Sequence, residues 1–180
     1  MKAGRLWILS GGIGTGKSTF CRQVADLARA KGVDTAGLIS PAVFEGGLKT
    51  GISALDLKSG QSRRLAGLRE NTPADLATGR WSFFKQTIDW GNRLLETATP
   101  CSLLIVDELG PLEFERGQGW TAGLHALDSG DFKAALTVVR PALLSTARIR
   151  WPHARLLQHG RQQEAEESAE KLLQYMADIP

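Results

Sequence analysis

The chain has 180 residues, 42% of them hydrophobic, which is enough for one domain over residues 1–180 with a substantial core. Its 22 lysines and arginines oppose 19 aspartates and glutamates, and the resulting net charge of +3 is too mild to indicate a nucleic-acid site. No apolar run approaches the ~20 residues of a membrane span, and the first residues do not resemble a signal peptide, so we expect a cytoplasmic protein.

The cysteines and histidines show no pattern of a metal site. Cys21 falls in a predicted helix and Cys101 at the start of a predicted strand, so we interpret both as reduced packing residues. The histidines (His125, His153 and His159) are scattered, which favours surface or core roles over metal binding.

The first predicted elements are a strand, a glycine-rich loop and a helix. An apolar run over 6–9 favours a short buried strand, and residues 19–31 have the apolar spacing of a helix that Gly32 ends. Between them, the run from Gly11 to Ser18 satisfies the phosphate-loop motif G-x-x-x-x-G-K-[ST]. The order strand, loop, helix distinguishes a phosphate loop from a glycine-rich turn with an incidental lysine.

Each part of this loop has a chemical reason. Glycines let successive N–H groups point inward as an anion nest, and the helix that begins near Gly16 directs its positive dipole end to the same place. Lys17 adds a cation for the β- and γ-phosphates, and Ser18 supplies a hydroxyl for Mg²⁺. The residues predicted to bind the nucleotide are Gly11, Gly12, Ile13, Gly14, Thr15, Gly16, Lys17, Ser18 and Thr19.

The pattern changes after the first helix. Over 35–66, short apolar runs are separated by Glu45-Gly46-Gly47 and Ser59-Gly60, which predicts a β-meander of two or three strands. Residues 67–80 are predicted to form a loop, because Asn71-Thr72-Pro73 is a strong turn signal.

Helices and strands then alternate to the end of the chain. The predicted elements are a helix over 82–97, a strand over 102–106, a helix around 120–127, a strand over 134–139, a short helix over 143–149, a strand over 155–159 and an amphipathic helix over 165–176. This alternation predicts an α/β fold of three layers, in which helices cover both faces of a mostly parallel sheet and the meander is an insertion. Nucleotide then binds at the carboxyl ends of the parallel strands.

Two acids directly follow the buried run over 102–106. Asp107 would lie at the carboxyl end of this strand, beside the phosphate loop, where it can hold Mg²⁺ directly or through water. The adjacent Glu108 can then polarise the attacking water. Alternatively the two acids only begin a loop, but the glycine motif upstream favours a catalytic site.

Arginines follow the strand over 134–139. Arg140 ends that strand, and the strand order would bring its guanidinium near the γ-phosphate, where it can sense or stabilise charge. Arg148 and Arg150 are weaker candidates in the same basic stretch, since surface arginines are common.

With these motifs in place, the chain resembles the THEP-type nucleoside triphosphatases over nearly its whole length. Four segments carry the resemblance: Gly11 to Ser18, Gly37-Leu38-Ile39-Ser40-Pro41 with Gly51-Ile52, Gly79-Arg80, and Val106 to Glu113. The first segment is the Walker A motif. The last is the Walker B region, where the family reads D-E-[IL]-G-x-[ML]-E. The family implies a RecA-like core and slow, Mg²⁺-dependent hydrolysis of several nucleoside triphosphates. Carried over by position, Lys17 and Ser18 bind phosphate and Mg²⁺, Asp107 is the metal carboxylate, Glu108 is catalytic, and the role of Glu113 stays open. The segment Trp151-Pro152-His153 departs from the family pattern.

Three functions remain open on these residues. The leading one is hydrolysis of ATP, GTP or other triphosphates with broad base use, because the run from Thr137 to Pro141 lacks an acid that could read guanine. A small nucleotide or nucleoside kinase would use the same loop, with Arg148 and Arg150 in a lid. A nucleotide-gated regulatory or assembly ATPase, with an unknown protein partner, would use slow hydrolysis as a timer.

Overall fold

The computed structural model describes residues 6–71, 76–158 and 165–177. The strands are β1 (Leu6–Ser10), β2 (Thr35–Ile39), β3 (Ala42–Glu45), β4 (Leu48–Asp56), β5 (Ser62–Leu68), β6 (Leu76–Thr78), β7 (Trp81–Phe83), β8 (Cys101–Leu109), β9 (Phe132–Val139) and β10 (Arg155–Gln158). The α-helices are α1 (Lys17–Ala30), α2 (Lys85–Glu96), α3 (Pro111–Phe114), α4 (Thr121–Ser129), α5 (Leu144–Arg150) and α6 (Ala165–Ala177), and a 3-10 turn over Pro141–Leu143 leads into α5.

Within the described residues the strands form one continuous sheet in the order β10-β1-β9-β8-β2-β4-β5-β7-β6, with β3 paired to β4. The pairs from β10 to β2 are all parallel, and the pairs from β2 to β6 are all antiparallel. The buried apolar runs of β1, β8 and β9 therefore lie in the parallel half, which is covered on both faces as such runs require.

Helices cover the two faces of the parallel half. On one face α1 and α6 pack through Phe20, Val24 and Leu172 against strand residues such as Leu9 and Ile105. On the other face α2 and α4 pack through Leu95, Leu124 and Leu127, with strand residues that include Ile8, Leu104 and Val106. The result is the expected three-layer α/β architecture. No helix in residues 6–71, 76–158 and 165–177 has the length and apolar character needed to cross a membrane.

The predicted meander differs from the observed one in three ways. Thr35–Ile39 pairs in parallel with β8 and antiparallel with β4, so it is a strand of the core sheet, and β3, β4 and β5 form the meander that continues from it. The prediction of a loop over 67–80 is wrong at both ends, because β5 reaches Leu68 and β6 lies at Leu76–Thr78. The predicted helix from residue 82 begins only at Lys85, since Trp81–Phe83 pairs with β5.

These short strands depend on partners that are distant along the chain. β7 pairs with both β5 and β6, and a three-residue strand has too few residues to show an alternating pattern. The other predicted elements lie close to the observed ones; β10 covers Arg155–Gln158, and His159 lies outside the described residues.

Candidate active site

The glycine-rich loop joins the buried strand β1 to the first turn of α1. Gly14 has a φ of 74° and Gly16 a φ of 90°, left-handed backbone that a side chain would strain. Gly16 is the N-cap of α1, so the positive end of the helix dipole and the free N–H groups of its first turn face the loop. This geometry is that of an anion-binding loop.

The ammonium of Lys17 folds back over this loop. Its Nζ donates hydrogen bonds to the carbonyl oxygens of Gly11 at 3.0 Å and Gly12 at 2.6 Å. Burial lowers the pKa of Lys17, while the negative charges of Glu108 and Asp107 act in the opposite direction. The phosphate-loop cation and both acids after the buried strand thus lie within electrostatic range of one another.

A β-bulge determines where these two acids point. β8 pairs with β9 through Val106 opposite Thr137, and the register then shifts before Leu109 pairs with Val139. Asp107 and Glu108 therefore occupy the bulge, and Glu108 has a φ of 65°, a left-handed conformation that is rare for a residue other than glycine. Bulges of this kind redirect side chains at the ends of strands, and here the redirected groups are the two candidate carboxylates.

Asp107 is almost fully buried, with 1% of its surface exposed. Its Oδ2 accepts a hydrogen bond from the backbone N–H of Ser40 at 2.9 Å. Burial first, and the neighbouring charge of Glu108 second, raise the pKa of Asp107 to about 6, while Ser18, Ser40 and Lys17 act in the opposite direction. Ser40 was not predicted as a site residue; its signal is its position at the end of a strand that neighbours β8.

The donor set around Asp107 fits a magnesium ion. Its Oδ1 is buried and has no hydrogen-bond partner among the described residues, so this carboxylate oxygen is free to coordinate a cation. The hydroxyl of Ser18 faces the same carboxylate. In nucleotide sites Mg²⁺ binds hard oxygen ligands. Here the protein offers one carboxylate and one hydroxyl, and substrate phosphates and water would complete the coordination shell.

Glu108 pairs with Arg140 across the end of the sheet. Nη2 of Arg140 lies 3.3 Å from Oε1 of Glu108, with 42% and 33% of the two side chains exposed. Arg140 directly follows β9, which neighbours β8, so adjacent parallel strands bring the two groups together. The exposure of both side chains leaves the pair open to an incoming phosphate.

Glu113 links two segments that border the site. Its Oε2 accepts the N–H of Gly110 and its Oε1 the N–H of Trp120, both at 2.8 Å. The carboxylate is buried, which raises its pKa, although the two backbone donors act to lower it. Glu113 therefore ties the end of β8 to the start of α4.

The remaining residues singled out from the sequence are the arginines of α5 and the two cysteines. Arg150 is bound to Asp128, whose carboxylate also accepts the indole N–H of Trp151. This arrangement makes Arg150 part of the packing of α5 rather than a free lid residue. Both cysteines are free thiols; burial raises the pKa of Cys21 well above its usual range and that of Cys101 to about 11.

Known proteins show similarity to this chain across the same region. The family model described as NTPase matches residues 7–149. The Nucleoside-triphosphatase THEP1 of Thermofilum pendens is 27% identical over 150 residues, which cover 82% of this chain and 80% of that protein. The Nucleoside-triphosphatase THEP1 of Methanopyrus kandleri is 30% identical over 123 residues, 68% of this chain and 67% of that protein.

A solved structure shares the fold. The solution structure of a human cancer-related nucleoside triphosphatase aligns with a TM-score of 0.71, covering 95% of this chain and 96% of that one. At 18% identity this likeness concerns the fold alone. It confirms the predicted α/β fold of a phosphate-loop nucleoside triphosphatase, although the sheet is mixed rather than mostly parallel, because the short strands β3 to β7 all pair antiparallel.

Proposed function

We propose that this chain, which belongs to the NTPase family and is a nucleoside triphosphatase, hydrolyses its substrates slowly, with Mg²⁺ and with little preference among bases. The observation that carries this proposal is the bulge at Asp107 and Glu108, since it gives two neighbouring carboxylates different surroundings. Asp107 is buried beside Ser18, which suits a metal ligand. Glu108 is partly exposed, which suits a base that must reach water.

In the proposed reaction, water attacks the γ-phosphorus while Glu108 accepts a proton from that water. The bond from the γ-phosphorus to the bridging oxygen breaks, which releases nucleoside diphosphate and inorganic phosphate. Lys17 and the loop N–H groups hold the phosphates in line, and Arg140 stabilises charge that develops on the γ-phosphoryl oxygens. The metal, when bound through Ser18 and Asp107, supplies further neutralisation of phosphate charge.

The slow rate follows from the pairing of Glu108 with Arg140. The Oε1 of Glu108 that accepts the hydrogen bond from Arg140 has to be released before it can take up the attacking water. Arg140 therefore has to exchange Glu108 for the γ-phosphate before Glu108 can act, and only a triphosphate offers that exchange.

The contacts around the loop address phosphates rather than a base, which supports broad base use. We also propose a cytoplasmic location, with both thiols reduced.

Phosphate release tests the proposal directly. The purified chain is incubated with ATP, GTP, CTP or UTP, with Mg²⁺ or with excess EDTA, and inorganic phosphate is measured with malachite green. We expect release from all four nucleotides that stops with EDTA. No release from any of them in Mg²⁺ would refute the proposal.

A further inference from the structure

The bulge that carries Glu108 is held by a hydrogen bond at each end. Before the bulge, the hydroxyl of Thr137 donates to the carbonyl oxygen of Val106 at 2.9 Å, and this bond joins β9 to β8. After the bulge, the N–H of Gly110 donates to Oε2 of Glu113 at 2.8 Å. A left-handed residue with a Cβ is strained, and it persists only where the surrounding contacts hold it. The φ of 65° at Glu108 is therefore supported from both sides.

Glu113 is a rigid anchor for the second of these bonds. Only 7% of its surface is exposed, and its Oε1 accepts the N–H of Trp120 at 2.8 Å. Hydrogen bonds from backbone N–H groups to a carboxylate are charge-assisted, so both oxygens are firmly held. The backbone of Gly119 also packs against the carboxylate, because a Cβ added there would collide with Oε1. Movement of the carboxylate would therefore break both of its hydrogen bonds.

This anchor lies next to the candidate reaction centre. A Cβ added at Gly110 would lie 3.7 Å from Oε2 of Glu113 and 4.0 Å from Nε of Arg140, so the carboxylate and the guanidinium flank the same backbone position. The negative charge of Glu108 also reaches Glu113, where it adds to burial in raising the pKa of that carboxyl. One residue separates Gly110 from Glu108 along the chain. A displacement of the turn at Gly110 would therefore reach the proposed base directly.

We propose that Glu113 is a positioning residue for hydrolysis, which holds Glu108 in its strained conformation without touching the nucleotide. The inference rests on the proposed function, because it takes Glu108 as the base. A base acts only within hydrogen-bond distance of the proton that it removes, and a displacement of about 1 Å can cost about 10²-fold in rate. Both oxygens of Glu113 already accept backbone N–H groups, so its carboxylate is suited to hold the turn.

Asn92 offers a matched control for a purely structural role. It holds the same segment before α4, since its Nδ2 donates to the carbonyl oxygen of Gly119 at 2.8 Å and its Oδ1 accepts the N–H of Ala122 at 3.0 Å. Neither of these bonds reaches β8. Glu113→Ala and Asn92→Ala each remove two hydrogen bonds between a side chain and the backbone. Only Glu113→Ala removes a bond from the turn that follows Glu108.

The test measures phosphate release from ATP labelled at the γ-phosphate, with Mg²⁺ and the full chain, under single-turnover conditions. We expect Glu113→Ala to slow hydrolysis by about tenfold or more, while the Kd for a non-hydrolysable ATP analogue stays within about twofold, because the phosphate loop is untouched. Glu113→Gln should lose less of the rate than Glu113→Ala, since it keeps one acceptor. Asn92→Ala should hydrolyse ATP within about twofold of the wild-type rate.

A double-mutant cycle separates positioning from general damage to the fold. When Glu113→Ala is added to Glu108→Gln, the residual rate should change by less than about twofold, because no base is left to position. General damage would lower the rate by the same factor in both backgrounds. Circular dichroism checks that each variant is folded. If Glu113→Ala does not fold, Glu113→Gln and its isosteric control Asn92→Asp replace the alanine pair in the same cycle.

The outcomes separate this inference from the proposed function. A wild-type rate in Glu113→Ala, an equal loss in Asn92→Ala, or the same loss in both backgrounds of the cycle overturns the positioning role and leaves hydrolysis standing. A weaker Kd with an unchanged rate of hydrolysis also overturns it, because Glu113 would then act on binding. No phosphate release from the wild type with Mg²⁺ removes the proposed function and this inference with it.

Discussion

The guanidinium of Arg140 lies 3.3 Å from the carboxylate of Glu108, so the cation expected to meet the γ-phosphate is bound to the group expected to accept the proton. Lys17 likewise donates to the carbonyls of its own loop. Both cations thus have protein partners that phosphate oxygens can replace. Under the proposed mechanism, nucleotide binding therefore releases Glu108 to act as the base.

Lys17→Ala and Glu108→Gln should fail in different ways. Lys17 meets phosphate charge in both the ground state and the transition state, so its loss should weaken nucleotide binding and turnover together. Glu108→Gln should still bind ATP with Mg²⁺ but hydrolyse it about 10²-fold or more slowly, the usual effect of losing a general base. Binding by calorimetry and single-turnover phosphate release distinguish the two. Normal turnover in Glu108→Gln would exclude Glu108 from the mechanism.

Arg140→Ala should lower kcat with little change in affinity for nucleoside diphosphate. An arginine that stabilises the transferring phosphoryl group can raise kcat by about 10³-fold or more in this chemistry. Here the loss should be smaller, because the substitution also frees Glu108 from its ion pair. Arg140→Lys should restore only part of the rate, since lysine lacks the planar fork. If steady-state kcat is unchanged in Arg140→Ala, the arginine comes from elsewhere, for example from a partner protein.

ATP and GTP should be hydrolysed with kcat/KM values within about tenfold of each other, a difference of about 1.4 kcal/mol. The phosphate loop, Asp107 and Glu108 all address the triphosphate and the metal, whereas strong base discrimination needs hydrogen bonds to a base edge. Competition kinetics with both nucleotides present should show one shared site. A preference beyond about 10³-fold would reveal a base-reading pocket.

Glu108→Gly should make the protein more stable while abolishing hydrolysis. The φ of 65° at Glu108 strains a residue with a Cβ, and glycine relieves that strain as well as the repulsion from Asp107. We expect a gain of about 1 kcal/mol in the free energy of unfolding, measured with urea. Glu108→Ala serves as the control, since it removes the charge but keeps the Cβ. Equal stability of the glycine and alanine variants would argue against backbone strain.

Glu113 should make stability fall as the pH rises. Because burial raises its pKa, the folded protein binds this proton more tightly than the unfolded chain does. The contribution of Glu113 to the free energy of unfolding is complete when the pH is below 4.5, the ordinary pKa of a glutamate. It is lost as the pH rises through the raised pKa of the folded state, and the free energy of unfolding falls by no more than about 1.4 kcal/mol per pH unit. The stability difference between wild type and Glu113→Gln, measured by urea unfolding without Mg²⁺, should therefore shift against the wild type from pH 4 to pH 8. A pH-independent difference would contradict the shift.

How far the sequence predicts this molecule depends on the distance between interacting residues. The phosphate loop could be predicted because its eight residues are consecutive and their chemistry is local. The position of Arg140 at the end of its strand could be predicted, whereas its pairing with Glu108 was not predicted and arises because β8 and β9 are neighbours. The bulge could not be predicted, since it depends on how β8 and β9 align after Val106 and Thr137.

The same limit explains what sequence reasoning missed. Ser40 and Trp120 border the site through contacts with Asp107 and Glu113, residues 67 and 7 positions away. β6 and β7 are too short to show a pattern and exist because β5 offers them an edge. Such features are set by pairing across the fold rather than by local propensity.

Ser40 lies between the two halves of the sheet, because it directly follows β2 and precedes β3, the first antiparallel strand along the chain. Its amide donates a hydrogen bond to Asp107, the proposed metal ligand, and the carbonyl of the next residue, Pro41, accepts the N–H of Ser53 from β4. An engineer who trimmed the antiparallel half to obtain a minimal nucleotide-binding core would thus loosen the anchor of Asp107. Through Ser40 and Pro41, the antiparallel half supports the position of a proposed catalytic residue.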